Sequence, residues 1–242
     1  MRIGIGISVD RNLGSDATPL TLFGTSVALW LRANSTDITI ATGVSAWADR
    51  SGNGNHVAQG TGALQPAYIA SGINGKPVVR FVAASGTVLT KATSTIVPGG
   101  PHSIFVVAKW NSFAGAFNGL VGVGAATSTT VGNKTDIGTA WFGGGGFTTP
   151  ATASALALST VYRIGKTSTN AVATQGYVNG AASGSPVGNN YTAASSALVV
   201  GGYVHPTASI TADIGEIVIL SRVLSAAEIT QLDGYFRSYW GL

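Results

Sequence analysis

The sequence predicts an all-β protein, a sandwich of two stacked antiparallel sheets with jelly-roll-like connections and one short C-terminal helix. Three observations carry this. From Thr25 onward, short runs rich in β-branched and aromatic residues recur between Gly, Asn and Pro punctuation. No helical period precedes Ser225. Finally, Ile214 to Leu220 is a nearly continuous apolar run, as in a strand buried on both faces, and an amphipathic segment follows it.

Taken in order, the chain opens with MRIGIGISVDRNLGSDATPLTLFG, in which Ile3, Ile5, Ile7 and Val9 alternate with small residues. Asp10 and Arg11 break the pattern before any small-residue cleavage site, so the stretch reads as a strand and not as a secretion signal. Residues 1–24 form an extended arm ahead of a sandwich over residues 25–242. The arm pairs either with its own sheet or with a neighbouring subunit. The runs SVALWLR, ITIATG, PVVRFVA, SIFVVAKW, NGLVGVG, TAWFGGGGF, TVYRIGK, QGYVNG, ALVVGGYV and EIVIL follow as strands. Asn179-Gly180 marks a two-residue hairpin, because both residues tolerate positive φ. In the closing helix Ser225 stands three residues before Glu228, the spacing of a capping box. Ile229, Leu232 and Phe236 form its apolar stripe, and Tyr235, Tyr239 and Trp240 add bulk that one helix cannot bury alone. The helix therefore docks on a sheet.

Arg222, Leu224, Ser225 and Glu228, with the aromatic tail Tyr235, Phe236, Tyr239 and Trp240, resemble the close of laminin-G-like domains of the concanavalin A-like lectin and glucanase superfamily. VSAWADRSGNGNHVAQ (44–59) is similar to that family's W-x-D-x-S-G-N-G-N turn, and INGKPVVRF (73–81) to the strand after it. The resemblance covers Thr25 to Leu242 and implies a lectin-like sandwich. Since the family spans lectins, adhesion modules, enzymes and virus-particle proteins, it leaves function open.

At 242 residues the chain suits a single β-sandwich with a sizeable core. Charged residues are only 9% of the whole, against ~25% in typical soluble domains. Such a neutral polar surface suits a subunit covered by neighbours, or one that meets sugars. The net charge of +4 comes from 13 cations and 9 anions scattered along the chain without a Lys/Arg cluster, which argues against nucleic-acid binding. No apolar run reaches the ~18–20 residues of a membrane span. With no cysteine, neither a disulfide framework nor a thiolate metal site is available.

The chemistry-bearing motifs point away from catalysis. Glucanases of this superfamily carry E-x-D-x-x-E, which is absent; the only glutamates are Glu216 and Glu228, and the second is spent on capping. Asp213 and Glu216 are three apart, so on a regular strand they face opposite ways. Gly165-Lys166-Thr167 lacks the remainder of a phosphate loop, and the glycine run 143–146 is a hairpin tip. His56, His102 and His205 lack zinc spacing, and no G-x-S-x-G elbow exists. The sequence thus reads as non-enzymatic and needs no cofactor.

Asp49, Ser51 and Asn53, with Gly54 in sixth place, resemble the start of a calcium loop, but the twelfth position is Gly60. A run of Asx turns explains the same residues, and calcium stays as the weaker alternative. Candidates for a sugar platform are the aromatics outside the two matched blocks: Trp110, Trp141, Phe142, Phe147, Tyr191 and Tyr203. Two functions remain. One is a structural or display subunit on the surface of a phage particle, homo-oligomeric and in contact with other virion subunits or a host glycan. The alternative is an extracellular bacterial carbohydrate-binding or adhesion module.

Overall fold

A computed structural model describes residues 17–96, 100–113, 117–124, 130–134, 139–142, 151–169, 173–188, 197–202 and 210–242. The expected closing strand forms over Thr211–Leu220, with every residue after Thr211 buried. Among the described residues it is the seventeenth strand in chain order. Before it come β1 Val27–Arg32, β2 Ile38–Ile40, β3 Val44–Trp47, β4 Val57–Ala58, β5 Ala67–Ile73, β6 Lys76–Phe81, β7 Leu89–Lys91 and β8 His102–Ser112. Then follow β9 Phe117–Val123, β10 Thr130–Lys134, β11 Thr139–Phe142, β12 Ala151–Ala155, β13 Val161–Thr169, β14 Ala173–Val178, β15 Ala181–Val187, β16 Leu198–Val200 and β17 itself. Among the described residues two α-helices, α1 Pro19–Phe23 and α2 Ala226–Trp240, flank them.

The strands form two antiparallel sheets, as the sequence leads one to expect. One runs β15-β14-β13-β8-β17-β6-β5 and the other β12-β11-β10-β9-β16-β7-β4-β3-β2. β17 organises the first: β8 pairs along its length, while its other edge is shared by β6 at Ala212 to Ile214 and β1 at Glu216 to Leu220. Ile214, Ile217 and Ile219 face the second sheet across a core that includes Trp47, Phe81, Leu89, Trp110 and Phe142. On the outer face, Val107, Val218 and Leu220 pack with Ile229, Leu232, Tyr235, Phe236 and Trp240 of α2. Alternation along one strand thus feeds two cores.

The capping box forms: Ser225 Oγ accepts from the Glu228 amide at 3.4 Å, and the Glu228 carboxylate accepts from the Ser225 amide at 2.9 Å. At the other end Gly241 takes the left-handed conformation (φ 66°), and Asn74 Nδ2 donates to the Trp240 and Gly241 carbonyls, both at 2.9 Å. The β5–β6 turn therefore closes the helix C-terminus. Asn179 and Gly180 adopt positive φ between β14 and β15, the hairpin their chemistry indicates.

Differences from the sequence reading have local causes. β10, β12 and β15 are rich in Gly, Ala, Ser and Asn, carry little strand propensity of their own and exist through their neighbours' pairing. α1 is too short to show a period, yet it carries a capping box from Thr18 to Thr21 with Pro19 at its start. Residues 19–23 of the expected extended arm are thus helical, and Phe23 is buried with α2. Ile3, Ile5, Ile7 and Val9 lie outside the described residues.

A bulge in β17 redirects its side chains. Ile214 pairs with Ala108 and Glu216 with Val107, so Gly215 is extra and the alternation shifts by one. A Cβ at Gly215 would sit 2.6 Å from Trp240 Cη2. Gly215→Ala is expected to lower stability by ~1–3 kcal/mol through this overpacking. Thermal denaturation of the variant checks it, and an unchanged midpoint would mean that Trp240 is not seated there.

Candidate functional site

Asp213 and Glu216 do not face opposite ways. The bulge turns both to the outer face of the sheet, where Asp213 is aligned with Lys109 and Glu216 with Val107, two residues apart on β8. Glu216 is fully buried under α2: Oε1 accepts from Trp30 Nε1 and from the Tyr235 hydroxyl, each at 2.6 Å, and Oε2 from Trp240 Nε1 at 2.8 Å. Burial pushes its carboxyl above the usual glutamate range despite these donors. Asp213 takes Arg80 in a bidentate pair at 2.6 and 2.9 Å, with Asn111 at 2.9 Å and Lys109 Nζ at 3.2 Å. Burial works against its charge, but Arg80 and Asn111 hold its carboxyl below the ordinary value. Every oxygen of both acids accepts from at least one protein donor. The Tyr235 hydroxyl is also pushed up, first by burial and then by Glu216, the reverse of what an activated phenolate requires.

Beside Glu216 the outer face carries a ladder of cations and rings. The Arg50 guanidinium lies 4.7 Å from the Trp30 ring centre; that of Arg32 lies 5.2 Å from Trp30 and 4.3 Å from Tyr239; and Lys76 Nζ lies 4.8 Å from Tyr239. Arg50 also pairs with Asp37 at 2.5 Å. Pairing of β1 with β17, the β5–β6 turn and the end of α2 bring these residues together from distant parts of the chain. Arg32, Lys76 and Tyr239 are half-buried, which leaves part of the ladder open to solvent.

The loop from Asp49 to Asn55 is a set of side-chain turns. Asp49 Oδ1 accepts from the Trp30 and Ser51 amides at 3.0 and 2.9 Å, and Oδ2 from the Asn55 amide and Ser51 Oγ at 2.9 and 2.8 Å. Asn53 Nδ2 donates to the Val27 carbonyl at 2.8 Å, and Asn55 Nδ2 to that of Ala28 at 2.9 Å. The Asp49 oxygens and Ser51 Oγ that calcium would need are thus engaged by donors of the loop and of β1, and Asn53 and Asn55 tie the loop to β1.

Of the proposed sugar platforms, Trp110 and Phe142 are fully buried and offer no face to a ligand. Trp110 packs edge-on against Tyr162, and Phe142 against Gly176, where a Cβ would come within 2.1 Å of the ring. In SIFVVAKW the parity of Ile104, Val106, Ala108 and Trp110 already signals an inward tryptophan. Trp141 lies in β11, with its side chain outside the described residues; Phe147, Tyr191 and Tyr203 lie outside them altogether. A further group was not foreseen: His102 and Lys166 are buried on the inner face of the first sheet, near Ser168 and Thr174. Burial lowers the Lys166 ammonium to about 7, and burial with Lys166 nearby lowers His102 to about 3.

Two facing sheets with a capping helix on the outer face define a lectin-like β-sandwich. Neither a family model nor a curated protein matches the chain by sequence. Solved structures do match. Trypanosoma rangeli sialidase in complex with the inhibitor DANA is similar over 86% of this chain and 32% of its own, with a TM-score of 0.60 and 16% identity. Domain 4 of AbnA, a GH43 extracellular arabinanase from Geobacillus stearothermophilus, in complex with arabinotriose, is similar over 86% of this chain and 98% of its own, at TM-score 0.58 and 14% identity. The binding domain of Paraclostridial Mosquitocidal Protein 1 is similar over 88% and 52%, at TM-score 0.62 and 13% identity.

The chain spans about a third of the sialidase's length. These neighbours correct the reading that sets the chain apart from enzymes, because its fold recurs within sialidase chains. That reading rested on missing signatures, the carboxylate pair first among them, and sialidases work through a tyrosine nucleophile outside that rule. A phage subunit has no counterpart among these neighbours. The alternative, a carbohydrate-binding module, has one in the arabinanase domain.

Proposed function

We propose that this chain is a carbohydrate-binding domain. The observation that carries the reading is the domain-to-domain likeness with arabinanase domain 4: the match spans nearly all of that structure, which holds arabinotriose. Its low identity leaves the ligand of this chain to be read from its own residues. The resemblance of the Trp47 to Asn55 turn and of the closing helix to laminin-G-like domains supports the same reading, as does a surface poor in charge. The partner is then an extracellular or cell-surface glycan, and the chain acts outside the cell.

Affinity electrophoresis tests this. The native protein should be retarded in gels containing at least one soluble polysaccharide from a panel of arabinans, galactans, glucans, pectins and bacterial surface polysaccharides. Unchanged mobility across the panel, beside a control lectin that is retarded, would sink the proposal.

A further inference from the structure

We infer that Arg32 is a receptor for the carboxylate of an acidic sugar; the inference rests on the carbohydrate-binding reading and narrows it to uronate- or sialate-bearing glycans. Of the described arginines, 50, 80, 163 and 222 each donate to a carboxylate, and Arg237 is exposed in the last turn of α2. Arg32 meets none among the described residues. The acid beneath it, Glu216, is filled by Trp30, Tyr235 and Trp240, and the Tyr235 hydroxyl lies next to the Arg32 guanidinium. Its Nε is buried and has no acceptor among the described residues.

The guanidinium is nonetheless held in place, between the rings of Trp30 and Tyr239 at 5.2 and 4.3 Å. A planar fork pinned by stacking loses little freedom on binding and matches a carboxylate bidentately. Lys76, also without an ion pair among the described residues, adds a second cation on the same ring, 4.8 Å from its centre. Two like charges gathered on one half-exposed tyrosine favour an anion there. Asn74, exposed on the preceding turn, spends its Nδ2 on α2, and its Oδ1 has no described donor, so it can accept a sugar hydroxyl. A carboxylate ringed by hydroxyls fits this set of groups better than a neutral sugar does.

Calorimetric titration of the intact chain at low salt decides it, with trigalacturonate and sialyllactose against galactotriose and lactose. At least one acid should bind about tenfold or more tighter than its neutral counterpart, with added salt eroding the gap, and the better acid identifies the source as uronate or sialate. Arg32→Lys, which keeps the charge but not the fork, should lose most of this preference, and Arg32→Gln all of it. Equal affinity for acid and neutral sugars overturns the inference while sugar binding itself stands; no binding to any sugar overturns both. A preference that survives Arg32→Gln in a protein with unchanged circular dichroism also overturns it. Should Arg32→Gln fail to fold, Lys76→Gln carries the test: a preference reduced severalfold supports the site, and an undiminished one contradicts it.

Discussion

Leu232→Ala is expected to lower stability by ~2–5 kcal/mol, whereas Ser225→Ala lowers it by ~0.5–2 kcal/mol. Leu232 is fully buried in the outer core with Trp30, Phe105, Val218 and Leu220, so truncation removes apolar burial and leaves a cavity. Ser225 is exposed, and its loss removes the 3.4 Å cap bond and the 2.9 Å bond to Glu228 Oε2 from a helix still anchored by five buried side chains. Against a typical total of ~5–15 kcal/mol, the first change is visible in any urea transition while a folded sandwich remains. The reverse order would mean that α2 is not docked on β17.

Glu216→Ala is expected to cost ~3–5 kcal/mol, because two indole N–H groups and one hydroxyl lose their shared buried acceptor. Glu216→Gln should cost less, ~1–3 kcal/mol, since the amide keeps one oxygen but turns its NH2 toward a donor. The pH dependence separates charge from shape. Burial raises the Glu216 carboxyl, so the folded state keeps a proton that the unfolded chain releases near the ordinary value of ~4.3. Stability from this group is therefore present at low pH and falls as pH rises through the raised folded value. The advantage of the wild type over Glu216→Gln should shrink over that window in urea melts at a series of pH values. A constant or growing advantage would show that Glu216 titrates at or below its ordinary value.

Much of this fold is legible in the residues themselves. The apolar run at Ile214 to Leu220, the Ser225–Glu228 spacing and the Ile229, Leu232, Phe236 stripe are local signals, and each became the element they indicate. The bulge at Gly215 is different: it arises from how β17 registers against β8, so no count of residues places Asp213 and Glu216 on one face. Nor does spacing reveal the ladder. Arg32, Lys76 and Tyr239 meet only because β1 pairs with β17 and the Asn74 turn caps α2. Aromatic type misled at Trp110 and Phe142, since a ring that suits sugar stacking also suits a sandwich core, and strand parity decides between them.

Carbohydrate binding is tested most directly by isothermal titration of the purified chain with oligosaccharides of the polysaccharide that best retards it in gels, the arabinan series included. Saturable binding is expected, with a Kd between about 1 μM and 1 mM, equivalent to about −8 to −4 kcal/mol, and competition among oligosaccharides of one series. A folded protein that gives no saturable heat with any of these sugars at millimolar concentration would contradict it.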